Sequence, residues 1–150
     1  MNKEKTVFIL VGAPGAGKTT WAKKQKIPLI NIDIKRKTVV GDWAINPSKD
    51  VKEKAFSLAV KEAKEYLVNG QSLIWDGTNV KSDRREILHA LVNYADSFVA
   101  VVLTTSLEEC LRRNMTRSGR IDESIIIDRF DNLQEAPVKA SEGFAKIMYV

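Results

Sequence analysis

Residues Val7-Phe8-Ile9-Leu10-Val11 run directly into Gly12-Ala13-Pro14-Gly15-Ala16-Gly17-Lys18-Thr19, a complete GxxxxGK[ST] pattern. An apolar run ending in glycines that open a helix aims backbone N–H groups at phosphate oxygens. Lys18 adds a point charge, and Thr19 a hydroxyl for Mg²⁺. Gly12, Gly15 and Gly17 permit positive φ and close backbone approach. Gly12 to Thr20 is therefore the expected ATP-binding segment, and the chain is expected to depend on a nucleoside triphosphate.

At 150 residues and 44% hydrophobic, the chain fits one domain with a real core, so residues 1–150 are expected to form a single unit. No run approaches the ~20 apolar residues of a membrane span, and Met1-Asn2-Lys3-Glu4-Lys5 leads into a core strand without a signal-peptide pattern. A cytoplasmic protein is the expectation. The single cysteine, Cys110, lies in a helical pattern and can form neither an intrachain disulfide nor a zinc cluster. A net charge of +5 says less than its placement, in Lys35-Arg36-Lys37, in Lys81 with Arg84-Arg85, and in Arg112-Arg113 with Arg117 and Arg120. Each cluster is expected near the phosphate-binding end of the sheet, although solvated helix faces would look the same.

Periodicity predicts a first helix over 18–26, a strand over 28–33 ending in Asp33, and a long amphipathic helix over 48–69 with Ser48 as N-cap and Gly70 beyond its end. A strand over 71–76, a helix over 82–94, a buried strand over 97–103 and a helix from about Ser106 follow. Asn114 to Arg120 breaks the apolar period and reads as a basic lid; a helix from about Asp122 to before Pro137 and a short strand over 145–150 complete the chain. Alternating strands and helices imply an α/β fold with a parallel sheet covered on both faces and ligands beyond the carboxyl ends of the strands.

A GTPase would need an Asn-Lys-x-Asp motif, and Asn79-Val80-Lys81-Ser82-Asp83 has the wrong spacing. A motor or AAA-type ATPase would usually follow the strand acid with a water-polarising Glu, where this chain has Asp76-Gly77. Asp76-Gly77-Thr78 also resembles a phosphatase string, but the nucleophile's position is held by Ile74. Two strands ending in single acids, Asp33 and Asp76, suit transfer to a substrate hydroxyl better than hydrolysis.

With Thr20-Trp21-Ala22 continuing the loop and Ile30-Asn31-Ile32-Asp33-Ile34-Lys35-Arg36 following, the chain resembles the kinase half of the phage-type polynucleotide 5′-kinase/3′-phosphatase family, within the small P-loop kinases. The resemblance implies that Asp33 is the general base for a 5′-hydroxyl and that Arg36 grips the adjacent 3′-phosphate. Asp76-Gly77-Thr78-Asn79 resembles the next family block, with Asp76 orienting Mg²⁺ waters and Thr78 touching the acceptor; an Asx-turn at Asp76 is the structural alternative. Leu111-Arg112-Arg113-Asn114-Met115-Thr116-Arg117 resembles the lid, making Arg117 the arginine on the transferring phosphoryl and Arg113 a second contact. Independently of the family, an acid capping a helix with Arg36 one turn along it can meet a hydroxyl and a phosphate of one nucleotide. His89 and Trp75 read as structural, and Trp43 lies in an irregular basic region.

The expectation is a kinase using ATP and Mg²⁺, with Asp33, Lys18, Arg113 and Arg117 catalytic, Arg36 and Thr78 on the acceptor, and Thr19 and Asp76 at the metal. Its partner is a nucleic acid or nucleotide acceptor. Two other readings stand beside it: a kinase for a small acceptor such as a nucleoside, sugar, antibiotic or nucleotide-sugar, and a nucleotide-dependent binding module without efficient transfer.

Overall fold

Strands that are apolar on both faces need covering from both sides, and the computed structural model, described here for residues 3–40 and 48–150, meets that need with a parallel sheet between helical layers. In chain order the elements are β1 (Thr6–Val11), α1 (Lys18–Lys24), β2 (Leu29–Asn31), α2 (Ile32–Val40), α3 (Lys49–Val68), β3 (Leu73–Asp76), α4 (Lys81–Leu91), β4 (Ser97–Val102), α5 (Leu107–Thr116), α6 (Glu123–Glu135), a 3-10 turn (Ala140–Glu142) and β5 (Lys146–Tyr149). Among the described residues no helix is long and apolar enough to cross a membrane. Trp43 lies outside the described residues.

The strand order is β2-β3-β1-β4-β5, every pair parallel. The two-residue period of β1 turns Val7, Ile9 and Val11 to one face, where Ala59, Ala63 and Leu67 of α3 and Ile87 and Leu91 of α4 cover them. Leu10 turns to the other face, against Ala22 of α1, Ile74, Val99 and Val101. The wholly buried Ala55, Ala59 and Ala63 give α3 a narrow contact edge, which lets its axis lie close to the sheet. Trp75 is in this core as the sequence indicates, and its ring tilts against Phe56 with centroids 5.7 Å apart.

A third cluster matters most for the site: Ala13 and Ala16 of the glycine-rich loop pack with Cys110 of α5 and Ile126 of α6. The chain moves from β1 outward to β2, returns to β3 and then crosses to β4, so β1 sits at the switch point where the crevice of an open α/β sheet forms. The β1 and β3 loops are joined there, the Gly12 N–H donating to the Thr78 carbonyl at 3.2 Å.

Several boundaries depart from the sequence reading. The strand expected over 28–33 stops at Asn31, and Asp33 lies in the first turn of α2. Lys26 has φ 55, which ends α1 at Lys24 before the expected Lys26. The expected lid residues Asn114 to Thr116 form the last turn of α5, so the non-helical lid starts at Arg117. His89 faces solvent on α4 rather than the core.

Candidate active site

The loop after β1 is shaped by two left-handed glycines, Gly15 at φ 87 and Gly17 at φ 98. Gly15 has a second reason to lack a side chain: a Cβ there would lie 2.9 Å from the Cys110 carbonyl oxygen, so the α5 backbone rests directly on the loop. Gly17 caps α1 without a side-chain hydrogen bond to its first-turn amides. Lys18 follows, its Nζ donating to the carbonyls of Gly12 at 2.7 Å and Ala13 at 3.1 Å. Its ammonium is thus held over the loop, where a phosphate would meet it. Pro14, Ala16 and Thr20 continue the same turn, Thr20 at the exposed start of α1.

Asp76 ends β3 beside this loop and is 2% exposed. Its Oδ2 accepts from Thr19 Oγ1 at 3.1 Å and from Asn31 Nδ2 at 3.2 Å. Burial raises the Asp76 carboxyl above its ordinary range, against the opposing pull of Lys18 and the Thr19 bond. Burial likewise lowers Lys18, while Asp76 and then Asp33 pull it back towards its charged form. A hydroxyl and a carboxylate within hydrogen-bond distance are hard oxygen donors that fit Mg²⁺, which keeps most of its waters and leans on substrate phosphates. The residues present therefore suit such an ion, which Thr19 and Asp76 could hold.

Asn31 is a site residue that the sequence reading passed over. Its Oδ1 accepts from the N–H groups of Asp33 at 2.9 Å and Ile34 at 3.2 Å, which makes Asn31, not Asp33, the cap of α2. One side chain thus braces Asp76 through its nitrogen and seats the helix carrying Asp33 through its oxygen. An Asn two residues before an acid at the end of a short apolar run was the available signal. Freed from capping, the Asp33 carboxylate is 72% exposed, and its charge is felt at both Lys18 and Asp76.

Arg36 lies one turn along α2 and donates through Nη1 to Asp33 Oδ1 at 3.2 Å. Its Nε is buried with no partner among the described residues. Asp83, in the first turn of α4, is raised by burial, with Arg36 the strongest charge opposing that shift and Arg129 and Lys52 adding to it. Lys35 turns away to pair with Glu62 of α3. The basic run 35–37 is therefore divided, one cation between Asp33 and Asp83 and another tying α2 to α3.

Arg113 joins the lid to the loop. Its Nη1 donates to the Gly15 carbonyl at 3.0 Å and its Nε to Glu109 Oε1 at 3.0 Å. Arg112 and Arg113 together hold the Glu109 carboxyl down to about 2. Arg117 is exposed at the end of α5 in an extended conformation, φ −80 and ψ 147, and its charge reaches Lys18.

Arg84 is fully buried and not on a solvated helix face: Nε and Nη2 bind the Glu142 carboxylate, Nη1 the Asn79 carbonyl and Nη2 the Ala136 carbonyl. Asn79, at φ 55, donates from Nδ2 to the Leu10 carbonyl at 2.6 Å and supports the end of β1 from below. Thr78 enters the site through its backbone carbonyl on Gly12, with its side chain half-buried. The structure thus gathers Lys18, Thr19, Asp33, Arg36, Asp76, Arg113 and Arg117 around one end of β1 and β3, with Arg84 bound to the Asn79 carbonyl and lining a cavity with Gly12 and Ala13.

With this loop, acid and lid in place, a family model called AAA_33, an AAA domain, matches residues 7–135, from β1 through α6. The chain belongs to the AAA_33 family. Membership places the chain among the nucleotide-binding P-loop kinases. The L-seryl-tRNA(Sec) kinase of Methanococcus maripaludis is 26% identical over 141 residues, which are 89% of this chain and 54% of that protein. Among solved structures, the Pnkp1/Rnl/Hen1 RNA repair complex contains a chain with TM-score 0.77 and 23% identity, covering 90% of this chain and 46% of that one. A sugar kinase from Janibacter sp. HTCC2649 has TM-score 0.70 and 16% identity, covering 98% of this chain and 86% of that one. The structural likenesses show the fold, and the chain spans about half the length of the curated relative it matches. The AAA label does not bring a water-activating Glu after Asp76: that position is the buried Gly77, where a Cβ would lie 3.1 Å from Ile32 Cγ2 and 3.2 Å from Asn79 Oδ1.

Proposed function

We propose that this family member is an ATP-dependent kinase that phosphorylates a hydroxyl, most specifically the 5′-hydroxyl of a polynucleotide or nucleotide, in the cytoplasm. The observation that carries the reading is the exposed Asp33 carboxylate within electrostatic reach of Lys18 and Asp76, with Arg36 paired to it one turn further on. An exposed acid at the rim of a phosphate-binding loop can take a proton from an incoming acceptor. The neighbouring guanidinium, already on the same helix, can hold that acceptor's phosphate.

In the reaction Asp33 accepts the hydroxyl proton as the acceptor oxygen bonds to the γ-phosphorus, and the bond from that phosphorus to the β–γ bridging oxygen breaks, releasing ADP. The proton then passes from Asp33 to solvent. Lys18, Arg113 and Arg117 stabilise the charge on the transferring group, which is where catalysis of phosphoryl transfer mainly resides. Thr19 and Asp76 would hold Mg²⁺, which when bound would supply positive charge to the triphosphate. Thr78 and Arg36 face the acceptor.

A neighbour from an RNA repair complex and an L-seryl-tRNA(Sec) kinase relative support a nucleic-acid acceptor, and the sugar-kinase likeness supports a small one. Transfer of label from γ-labelled ATP separates them. Label on 5′-hydroxyl DNA or RNA ends, with oligonucleotide affinity falling as salt rises, fits the polynucleotide reading. Label on nucleosides or sugars alone moves the acceptor to the small-molecule class. Tight ATP binding with no transfer to any acceptor leaves a binding module.

A further inference from the structure

We propose that Asn114 is the positioning residue of the lid: its side chain clasps the lid loop shut and thereby sets Arg117 over the phosphate loop. The inference rests on the reading of Arg117 as the arginine that meets the transferring phosphoryl. Residues 115–120 are all exposed, and Gly119 at φ 74 has open space around its Cβ position, so the loop's own packing cannot fix it. An arginine on a loop free to sample many conformations would have to be ordered at each turnover, a cost that preorganisation removes.

The hold comes from the two ends of the loop. Asn114 Nδ2 donates to the Ile121 carbonyl at 2.6 Å, and Asn114 Oδ1 accepts from the Ile121 N–H at 2.9 Å. A primary amide placed this way copies the reciprocal bonding of two paired strand residues, and both of its polar ends are consumed by one residue's peptide groups. Asn114 is 1% exposed, so its amide depends on the Ile121 peptide groups and not on bulk water for its partners. Aspartate would lose the donor, serine the span, and leucine both bonds. A merely space-filling polar residue would not need to match donor and acceptor at once.

Both ends of the clasp are also fixed to the phosphate loop. One turn before Asn114, the Cys110 backbone rests on Gly15, and Arg113 Nη1 bonds the Gly15 carbonyl. Ile121 packs in the cluster that contains Ala13 and Ala16. Closing 114 onto 121 therefore anchors the lid loop to the element that would bind the triphosphate. Arg117 starts three residues after the clasp, and its charge reaches Lys18.

The test is a double-mutant cycle on the whole chain, with Asn114→Ala, Arg117→Ala and the pair, read by kcat, by KM for ATP, and by hydrogen exchange at the Ile121 amide. If Asn114 acts through Arg117, Asn114→Ala lowers kcat about ten- to hundred-fold with KM for ATP within about three-fold, because misplacement by an ångström is enough for such a loss. In the Arg117→Ala background the same substitution then changes kcat by less than about two-fold, the signature of residues acting as one unit. The Ile121 amide exchanges at least about ten-fold faster once its acceptor is gone. Losses that multiply, an unchanged kcat, or an unchanged Ile121 exchange rate would each overturn the proposal. Should Asn114→Ala fail to fold, Asn114→Asp, which keeps the acceptor and removes the donor, must show the same non-additivity. If the wild-type chain transfers to no acceptor, the kinase reading fails by itself, and Ile121 exchange still decides the clasp: acceleration in the variant keeps it and an equal rate overturns it.

Discussion

Replacing Arg84 by methionine asks whether this arginine holds the fold or a ligand. Methionine fills the volume of the stem but returns none of the donors. The substitution strands a Glu142 carboxylate that is 15% exposed, and leaves the carbonyls of Asn79 and Ala136 without the guanidinium now 3.0 and 3.1 Å away. Each buried acceptor left unmade costs about 1–3 kcal/mol, and removing one partner of a buried ion pair costs about 3–5 kcal/mol. The contributions overlap because one guanidinium serves them all, so we expect a total of about 3–5 kcal/mol. In a domain of this size that lowers the midpoint by roughly 6–20 °C. Urea unfolding at neutral pH gives the cost from the shift in midpoint at constant slope. The folded variant, assayed well below its new midpoint, should retain most of its ATP affinity, because the hydrogen bonds of Arg84 reach β1 through Asn79 and the Leu10 carbonyl and none goes to Gly12–Thr19. A cost below about 1 kcal/mol together with lost nucleotide or acceptor binding would refute the structural role and make Arg84 a ligand-binding residue.

Gly15→Ala must accept a left-handed φ of 87 and a Cβ 2.9 Å from the Cys110 oxygen, so α5 moves and takes Arg113 with it; we expect a loss of about 1–3 kcal/mol and at least a ten-fold fall in ATP affinity by calorimetry. Gly70→Ala, with φ 80 and no atom within 4 Å, is the control and should leave affinity unchanged. Asp76→Asn should abolish Mg²⁺-dependent transfer while raising the stability of the nucleotide-free protein by on the order of 1 kcal/mol. The sign follows from linkage: burial raises the folded-state pKa of Asp76, so the native state binds its proton first and loses stability as pH rises from the unfolded carboxylate range through that raised value. Asparagine removes that slope, and a thermal midpoint that falls with the substitution would contradict it.

The parts of the fold that follow one local rule were legible. The apolar run of β1, the glycines after it and Lys18-Thr19 specify strand, loop and helix in order, and the Ser48 cap with Gly70 beyond the end brackets α3 to within a residue or two. What escaped depends on which distant backbone a side chain meets. Asn31 looks like a strand residue until Asp76 appears at 3.2 Å; Arg84 looks like a surface cation until Glu142 and Ala136 fold over it. Asn114 looks like a lid residue until Ile121 returns to its side. Asp33 stands out in the sequence through the family block that contains it, but the cap of its helix is Asn31, because strand and helix share the short stretch 29–34 and period alone does not divide them.

The measurement that bears most directly on the role of Asp33 is single-turnover transfer from γ-labelled ATP with Mg²⁺ to 5′-hydroxyl DNA and RNA oligonucleotides, 3′-mononucleotides, nucleosides and sugars, for the wild-type chain and Asp33→Ala, beside the ATP Kd of each. With Asp33 as the base, label reaches 5′-hydroxyl ends and falls by about 10²–10⁴ in the variant, with the ATP Kd changed less than about three-fold. Undiminished transfer by Asp33→Ala, or an equal loss of transfer and ATP affinity, would contradict that role, and label confined to small acceptors would contradict the polynucleotide substrate.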